Sequence, residues 1–431
     1  MSGKTHRLSI IIVIALLLGA FSTYAEDDTG TYTGFTPYSV FGFGDMYSMG
    51  SSYTASMGGV GIASRNNRFI NPMNPAAVTA RDSLAFMVDF SLMGSNRYMK
   101  QQVGSVEGNS VNNTFNIGDC IISFPIYRSS AMMVGIMPLS STGYNYGYIE
   151  QNPDTIANVG DVSYNYSGKG GIYQIFAAAG VTFWKRLSIG AEAIYYFGNV
   201  LKSSSVNFSD ETYIPIAHSD RFNINTFSGK FGIQYFQPVG KNWNFGIGGT
   251  YRLGSKINGS IENDGLAGKM SDLRLGTEFG LGLSACYMDK LKLEFDYINS
   301  DWTKSGFENE PFFSVNQSAL PFKSTLGHSF RLGAELVPDR RDTRYYFKKV
   351  AYRAGLYYNN EYYTVGGNRI DAKGITIGAT FPVFNMFNGL TVALDFGQRG
   401  SLNNSLVREN YFNVSVAVNL YDRWFRKMQY E

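Results

Sequence analysis

From Ser83 onward, apolar and polar residues alternate along the chain with a period of two. Leu291, Leu293, Phe295 and Tyr297 fall on one parity, Lys292, Glu294 and Asp296 on the other. A β-strand points successive side chains to opposite faces, so this pattern predicts a ribbon with one apolar and one charged face. Trp243, Phe245, Ile247 and Tyr251 alternate in the same way with Asn242, Asn244, Gly246, Gly248 and Arg252, and Phe412, Val414, Val416 and Val418 with their neighbours. About 14 such segments follow one another, an even number as in single-chain barrels. Many run to ten residues or more, beyond the roughly five or six of a soluble sandwich. The expected fold is therefore all-β: a transmembrane antiparallel β-barrel over residues 83–420, with lipid outside and a polar lumen inside.

The connections support an orientation. Short turns near Lys185-Arg186, Gly240-Lys241, Asp289-Lys290 and Asn388-Gly389 alternate with longer polar stretches such as Gln101 to Asn113 and Ser203 to Asp220. Short turns face the periplasm and long loops face outward. An Arg-rich stretch, Pro338 to Lys348, is a longer turn on the periplasmic side. Phe222 and Ile224 share one parity while Phe231, Ile233 and Tyr235 share the other, which predicts a bulge or a loop boundary near Phe227.

Composition narrows the class further. The chain carries 48 Gly, 32 Phe and 30 Tyr in 431 residues, and 16% charged residues against an average of about 25%. So many aromatics exclude a disordered chain, and beyond the first 25 residues no apolar run approaches the roughly 18 that a membrane helix needs. Lys4 and Arg7 precede the apolar run Leu8 to Leu18 and the small-residue site ending at Ala25, so residues 1–25 read as a secretory signal peptide. Without Lys4 and Arg7 the mature chain holds 35 basic and 34 acidic residues, a net +1, and nothing attracts nucleic acid. Two cysteines, Cys120 and Cys286, are too few for a disulfide framework, and unpaired thiols are expected.

Residues 26–82 do not alternate. They carry Gly42, Gly44, Gly50, Gly58, Gly59 and Gly61, then Asn71-Pro72-Met73-Asn74-Pro75-Ala76-Ala77. A Gly/Pro-rich piece of this length has too little regular structure to stand alone, and inside a barrel it would be a plug. The run Ser48-Met49-Gly50, Ala55 to Ala63 and Asn74-Pro75-Ala76 resembles the N-terminal hatch of the FadL/TodX family of outer-membrane hydrophobe transporters. The resemblance implies a 14-stranded barrel in a Gram-negative outer membrane, with Gly58, Gly59, Gly61, Asn74, Pro75 and Ala76 as hatch motif. It also implies passive uptake of small hydrophobic compounds, fatty-acid-like or aromatic, through lumenal binding, hatch movement and lateral exit. Two features depart from that family. An aromatic leader, Tyr32 to Phe43, precedes the matching part, and the outer loops look short. The family also includes PorV-like barrels, which serve as partners in a secretion system, so the alternative is a non-transporting scaffold or partner subunit of an outer-membrane complex.

The candidate chemistry is sparse. His6 leaves with the signal peptide; His218 and His328 remain, and no metal-ligand spacing is present. His328 shares a face with Leu326 and Phe330 while Ser329 points the other way, so no Ser-His pair forms. Neither an enzyme nor a cofactor is expected. Inward parity collects apolar Met87, Met93, Met133, Met137 and Phe176, which either pack on the hatch or line a hydrophobic ligand pocket. Pro138, in the third strand, cannot donate a ladder hydrogen bond and marks either a bulge or, by resemblance to the family, a lateral gap. Residues 421–431, with Asp422-Arg423-Trp424-Phe425-Arg426-Lys427, form a periplasmic tail suited to interfacial anchoring or to a protein partner. The partners expected are a hydrophobic small molecule and the surrounding lipid.

Overall fold

The computed structural model describes residues 32–47, 50–82, 84–103, 106–127, 129–210, 212–268, 272–314, 321–383 and 388–423. The signal peptide expected over 1–25 and the end of the tail, 424–431, lie outside them. Fourteen antiparallel strands form the wall: β1 (Ala85–Val103), β2 (Val106–Tyr127), β3 (Ser130–Ile149), β4 (Val162–Phe183), β5 (Leu187–Phe208), β6 (Ile216–Val239) and β7 (Trp243–Arg252). These are followed by β8 (Thr277–Tyr287), β9 (Leu291–Asp301), β10 (Leu326–Leu336), β11 (Ala351–Val365), β12 (Asn368–Pro382), β13 (Gly389–Arg399) and β14 (Val407–Arg423). Each pairs with its sequence neighbour, and β14 returns to β1 along an unbroken ladder from Val407↔Gln101 to Arg423↔Ala85.

The alternation read in the sequence sets the faces. In β8, Phe279, Leu281 and Leu283 are exposed on the outside, while Ser284 is buried on the inside. In β9, Leu293 and Phe295 point out, and Lys292, Glu294 and Asp296 are buried in the lumen. Lipid accepts the first set, and the ladder satisfies the backbone groups that lipid could not.

Wall height is uneven. β7, β8, β9, β10 and β13 have 10 or 11 residues, about one bilayer crossing. β1 to β6 have 19 to 24, so one side of the barrel rises well above the membrane. Of the stretch 101–113 expected as a loop, residues 101–103 and 106–113 are therefore strand, paired as far as Val103↔Val106. Its polarity misleads because a ladder standing in water needs no apolar face. Side-chain pairs support it, with Asn96 donating to Asn113 at 2.6 Å and Lys100 meeting Glu107 at 2.5 Å.

Two further expectations are corrected. No bulge interrupts the ladder of β6 with β5, which is continuous from Leu187↔Tyr235 to Val206↔Ile216, but on its other side the pairing with β7 ends at Lys230↔Arg252 and resumes at Ile224↔Gly259, a boundary either side of Phe227. The environment changes instead of the phase: Phe222 and Ile224 face inward beneath the outer loops, whereas Phe231 and Ile233 face lipid lower down. The tail, expected from residue 421, begins as strand, with Tyr421 paired to Met87.

Residues 32–47 and 50–82 lie against the inward faces of these strands, and most of their side chains are buried. They are the only described part of the chain outside the wall and its connections. We refer to them as the plug, and to residues 32–47 as its leader.

Candidate functional site

The plug is seated on glycines. A Cβ at Gly190 or Gly232 would fall inside contact distance of the Asn74-Pro75 segment, at Gly248 of Ile62, and at Gly333 or Gly355 of Met57-Gly58. These inward positions of β5, β6, β7, β10 and β11 let plug backbone touch wall backbone. Asn74, fully buried, caps the turn Pro75–Ala80 by accepting the Ala76 N–H at 3.0 Å. Its amide donates to the carbonyls of Ile62 at 2.8 Å and Ile233 at 3.2 Å, so one side chain holds turn, plug and wall. Gly58 and Gly59 adopt φ of +74° and +76°, the left-handed region that favours glycine. Beyond them, Asp296 of β9 accepts the N–H groups of Gly61 at 2.6 Å and Ile62 at 2.9 Å. Arg331 of β10 donates to the Gly59 carbonyl at 2.9 Å.

The leader does something different: it joins the wall. The β2–β3 ladder stops at Cys120↔Ile136, although β2 continues upward to Val106 and β3 to Ile149. Pro138 lies two residues beyond that last pair, at a register shift between Pro138↔Tyr173 and Ser140↔Ile172. In the opening stands a two-residue strand, Asp45–Met46, paired antiparallel to Ser141 and Ser140 of β3. Tyr47 N–H donates to the Leu139 carbonyl at 2.9 Å and Thr36 N–H to the Gly143 carbonyl at 2.8 Å. Pro138 thus sits at a register shift just beyond the end of the β2–β3 ladder, where leader residues pair with β3.

Charge fixes the leader. Asp45 meets Arg399 of β13 at 2.5 Å and Arg97 of β1 at 2.7 Å, and Arg399 also meets Glu409 of β14 at 2.9 Å. Thr36 donates its hydroxyl to Glu409 and accepts from Arg399. Buried ions are stable only when paired and hydrogen-bonded, and here each pair joins plug to wall or one strand to another. Above, Phe43 packs against Phe307, Phe313, Trp302 and Phe222, with ring centroids 5.1 to 6.2 Å apart, forming an aromatic cap under the outer loops. Lys202 donates to the Val40 carbonyl at 2.7 Å.

A cavity of about 240 Å³ lies behind the leader strand. Its lining combines Met46, Met93 and Met137 with Arg97, Asp119 and Arg399. Of the five apolar residues expected to form a pocket, Met93 and Met137 reach this cavity. Met87, Met133 and Phe176 are instead buried in the wall-and-plug core, at 2%, 0% and 2% exposure. Sequence reasoning did not find the ion cluster, because Arg97, Arg399 and Glu409 lie far apart in the chain and Asp45 stands in a segment without periodicity. The inward glycines were visible, but as small lumenal residues and not as a seat.

Among the described residues no group of three or more His, Cys, Asp or Glu side chains could hold a metal ion, and Cys120 and Cys286 are free thiols. His328 bonds Tyr297 and Asn299, at 3.0 and 3.1 Å.

Known structures share this architecture. The toluene transporter TodX of P. putida superposes with a TM-score of 0.57 at 12% identity, over 90% of this chain and 100% of that one. A Pseudomonas aeruginosa FadL homologue gives 0.54 at 11% identity, over 88% and 99%. The Ralstonia pickettii toluene transporter TbuX gives 0.52 at 14%, over 86% and 97%. At such identities the likeness shows the fold, a closed 14-stranded FadL-like barrel. No protein with a curated description matches the sequence. The sequence model of one family, BamG, matches residues 8–266 and 260–431. Matched along almost its entire length, the chain belongs to the BamG family.

Proposed function

We propose that the protein resides in the outer membrane of a Gram-negative bacterium and passes small hydrophobic compounds sideways through the β2–β3 opening. The observation that carries this reading is the early end of the β2–β3 ladder at Cys120↔Ile136, with a cavity behind it and only the leader strand across it. A lateral route suits such cargo, because an apolar solute gains about 25 cal/mol per Å² on leaving water and would forfeit that in an aqueous channel. The leader strand is the gate: Met93 and Met137 meet the solute, and withdrawal of Asp45–Met46 from β3 opens the way to lipid. The solved relatives named as toluene transporters fit cargo of this kind.

The test locks the gate. A disulfide between Met46→Cys and Ser140→Cys, in a Cys120→Ser/Cys286→Ser background, should abolish uptake of a fluorescent fatty acid or a monoaromatic probe into liposomes, and reductant should restore it. Absence of uptake by the reduced protein across both probe classes sinks the transport reading.

A second reading has its own support. The 19- to 24-residue strands β1 to β6 raise a one-sided wall above the membrane, and the glycine seat and buried ion pairs bolt the plug in place. Such a barrel serves as a partner subunit that presents a surface to other envelope proteins. Recovery of a stable complex from gentle detergent, combined with absent uptake, would establish this reading in place of the first.

A further inference from the structure

The longest connection at the periplasmic end, among the described residues, joins β10 to β11 through residues 337–350. Between Pro338 and Lys349 it holds five basic residues and two acidic ones. Both acids are spent on building the turn. Asp339 accepts the Arg341 N–H at 3.0 Å, and Asp342 accepts those of Arg344 and Tyr345 at 2.7 and 2.8 Å while pairing with Lys348 at 3.0 Å. Arg341 and Arg344 are exposed and make no ion pair among the described residues.

Two hydroxyls show which way the turn leans. Tyr352, exposed on the lipid side of β11, donates to the Phe347 carbonyl at 3.1 Å, and Tyr346 donates to the Pro382 carbonyl at the end of β12 at 3.0 Å. The turn is thereby tied to the outer, lipid-facing rim. Phe347 is 71% exposed, and Tyr345 and Tyr346 are also open. At the same end of the barrel, elsewhere around the rim, Tyr127 at the end of β2, Trp184 in the turn after β4 and Trp243 at the start of β7 are exposed, as the aromatic residues that mark the membrane interface are. Tyr346 and Phe347 continue that girdle, which brings Arg341 and Arg344 to the level of the lipid phosphates.

We propose that this turn is a binding site for the phosphate headgroup of an anionic phospholipid in the periplasmic leaflet. Tyr346 and Phe347 enter the interface, and the guanidinium groups of Arg341 and Arg344 hold the phosphate oxygens, for which their planar forks are shaped. An acidic protein would also meet the charge, but it would leave unexplained why exposed aromatics lie on the lipid side. The inference rests on the membrane placement proposed above and is independent of whether the barrel transports anything.

The experiment uses the full mature protein in mild detergent with an equimolar mixture of phosphatidylglycerol and phosphatidylcholine, read by native mass spectrometry. Wild type should retain phosphatidylglycerol in preference, and Arg341→Gln/Arg344→Gln should weaken that preference about tenfold or more, given roughly 1 kcal/mol per interfacial basic residue. Phe347→Ser should reduce retention of both lipids. Unheated and boiled samples on gels show whether each variant remains a folded barrel; a wild type that does not shift on heating would overturn the membrane placement itself. A shifting wild type without lipid preference, or an intact double variant that keeps it, overturns this site alone. Loss of the preference to millimolar inorganic phosphate would assign the pocket to the free anion, and arginine-dependent capture of an acidic envelope protein without lipid preference would assign it to a protein; both overturn the proposal.

Discussion

Asp45 of the leader and Arg399 of β13 are joined by a 2.5 Å ion pair at the opening between β2 and β3. Both are buried, and the second Asp45 oxygen is held by Arg97. Removing one partner of such a cluster leaves an uncompensated charge and costs on the order of 3 to 5 kcal/mol. Asp45→Ala should therefore free the leader while leaving the barrel closed through β14 and β1. Protease added from outside should then cut near residues 33–47, and probe flux should rise. An unchanged cleavage pattern and flux would show that the cluster does not hold the gate.

The Asp296 carboxylate accepts two plug N–H groups, from Gly61 and Ile62. Asp296→Ala leaves both buried donors unsatisfied, at about 1 to 3 kcal/mol each. The heat-modification midpoint of the variant should fall by several degrees. Asp296→Asn, which keeps one acceptor oxygen, should fall less.

The glycine seat gives a prediction with an internal control. Gly190→Val should displace the Asn74-Pro75-Ala76 turn, because the new side chain has no room beside Pro75 and Ala76. Gly94→Ala should be neutral, since nothing lies within 4 Å of a Cβ there. Equal gel-shift stability for the two variants would show that the plug does not depend on this seat.

Methionine substitutions separate cargo contact from packing. Met137→Gln, at the cavity, should leave the fold intact and weaken hydrophobe binding about five- to thirtyfold, for roughly 1 to 2 kcal/mol of lost apolar contact. Met133→Gln should destabilise the barrel instead, because Met133 is 0% exposed and its replacement buries an unpaired amide. Thermal gel shifts and equilibrium binding of the same probe separate the two effects.

The outer hairpin, Gly259–Asn263 with Leu266–Gly268, should resist mild acid. Asp264, at its tip, is held below the usual carboxylate range by the Ser219 N–H and by the His218 side chain, which also faces Asp220. A depressed carboxylate stabilises the fold above its unfolded pKa, and that contribution is lost as pH falls through the lowered value. The hairpin should stay clamped to β6 through the ordinary Asp range near pH 4 and loosen only in stronger acid. Amide exchange at Ser219 measures this, and Asp264→Asn should exchange faster at neutral pH.

The wall was legible in the sequence because lipid imposes a two-residue period that no local accident imitates. Leu293 and Phe295 on one side and Glu294 and Asp296 on the other suffice to orient β9. Legibility ends where lipid ends. Asn109 to Asn113 look like a loop because strands in water carry no apolar signal, and Phe222 looks out of phase because its inward neighbours are aromatic. Within the site, the Asn74-Pro75 turn announces itself through local chemistry. The Asp45–Arg399 pair does not, since its partners are 354 positions apart and meet only after the barrel closes.

Backbone-to-backbone contact across the glycine seat constrains the order of assembly. The plug touches β5, β6, β7, β10 and β11 too closely to be threaded into a finished cylinder, and its leader is itself a rung beside β3. The last ladder, β14 with β1, must therefore form around a plug already in position. The N-terminal segment then acts as a mandrel on which the sheet is rolled, and its loss would be felt by the growing barrel before it was felt by any cargo.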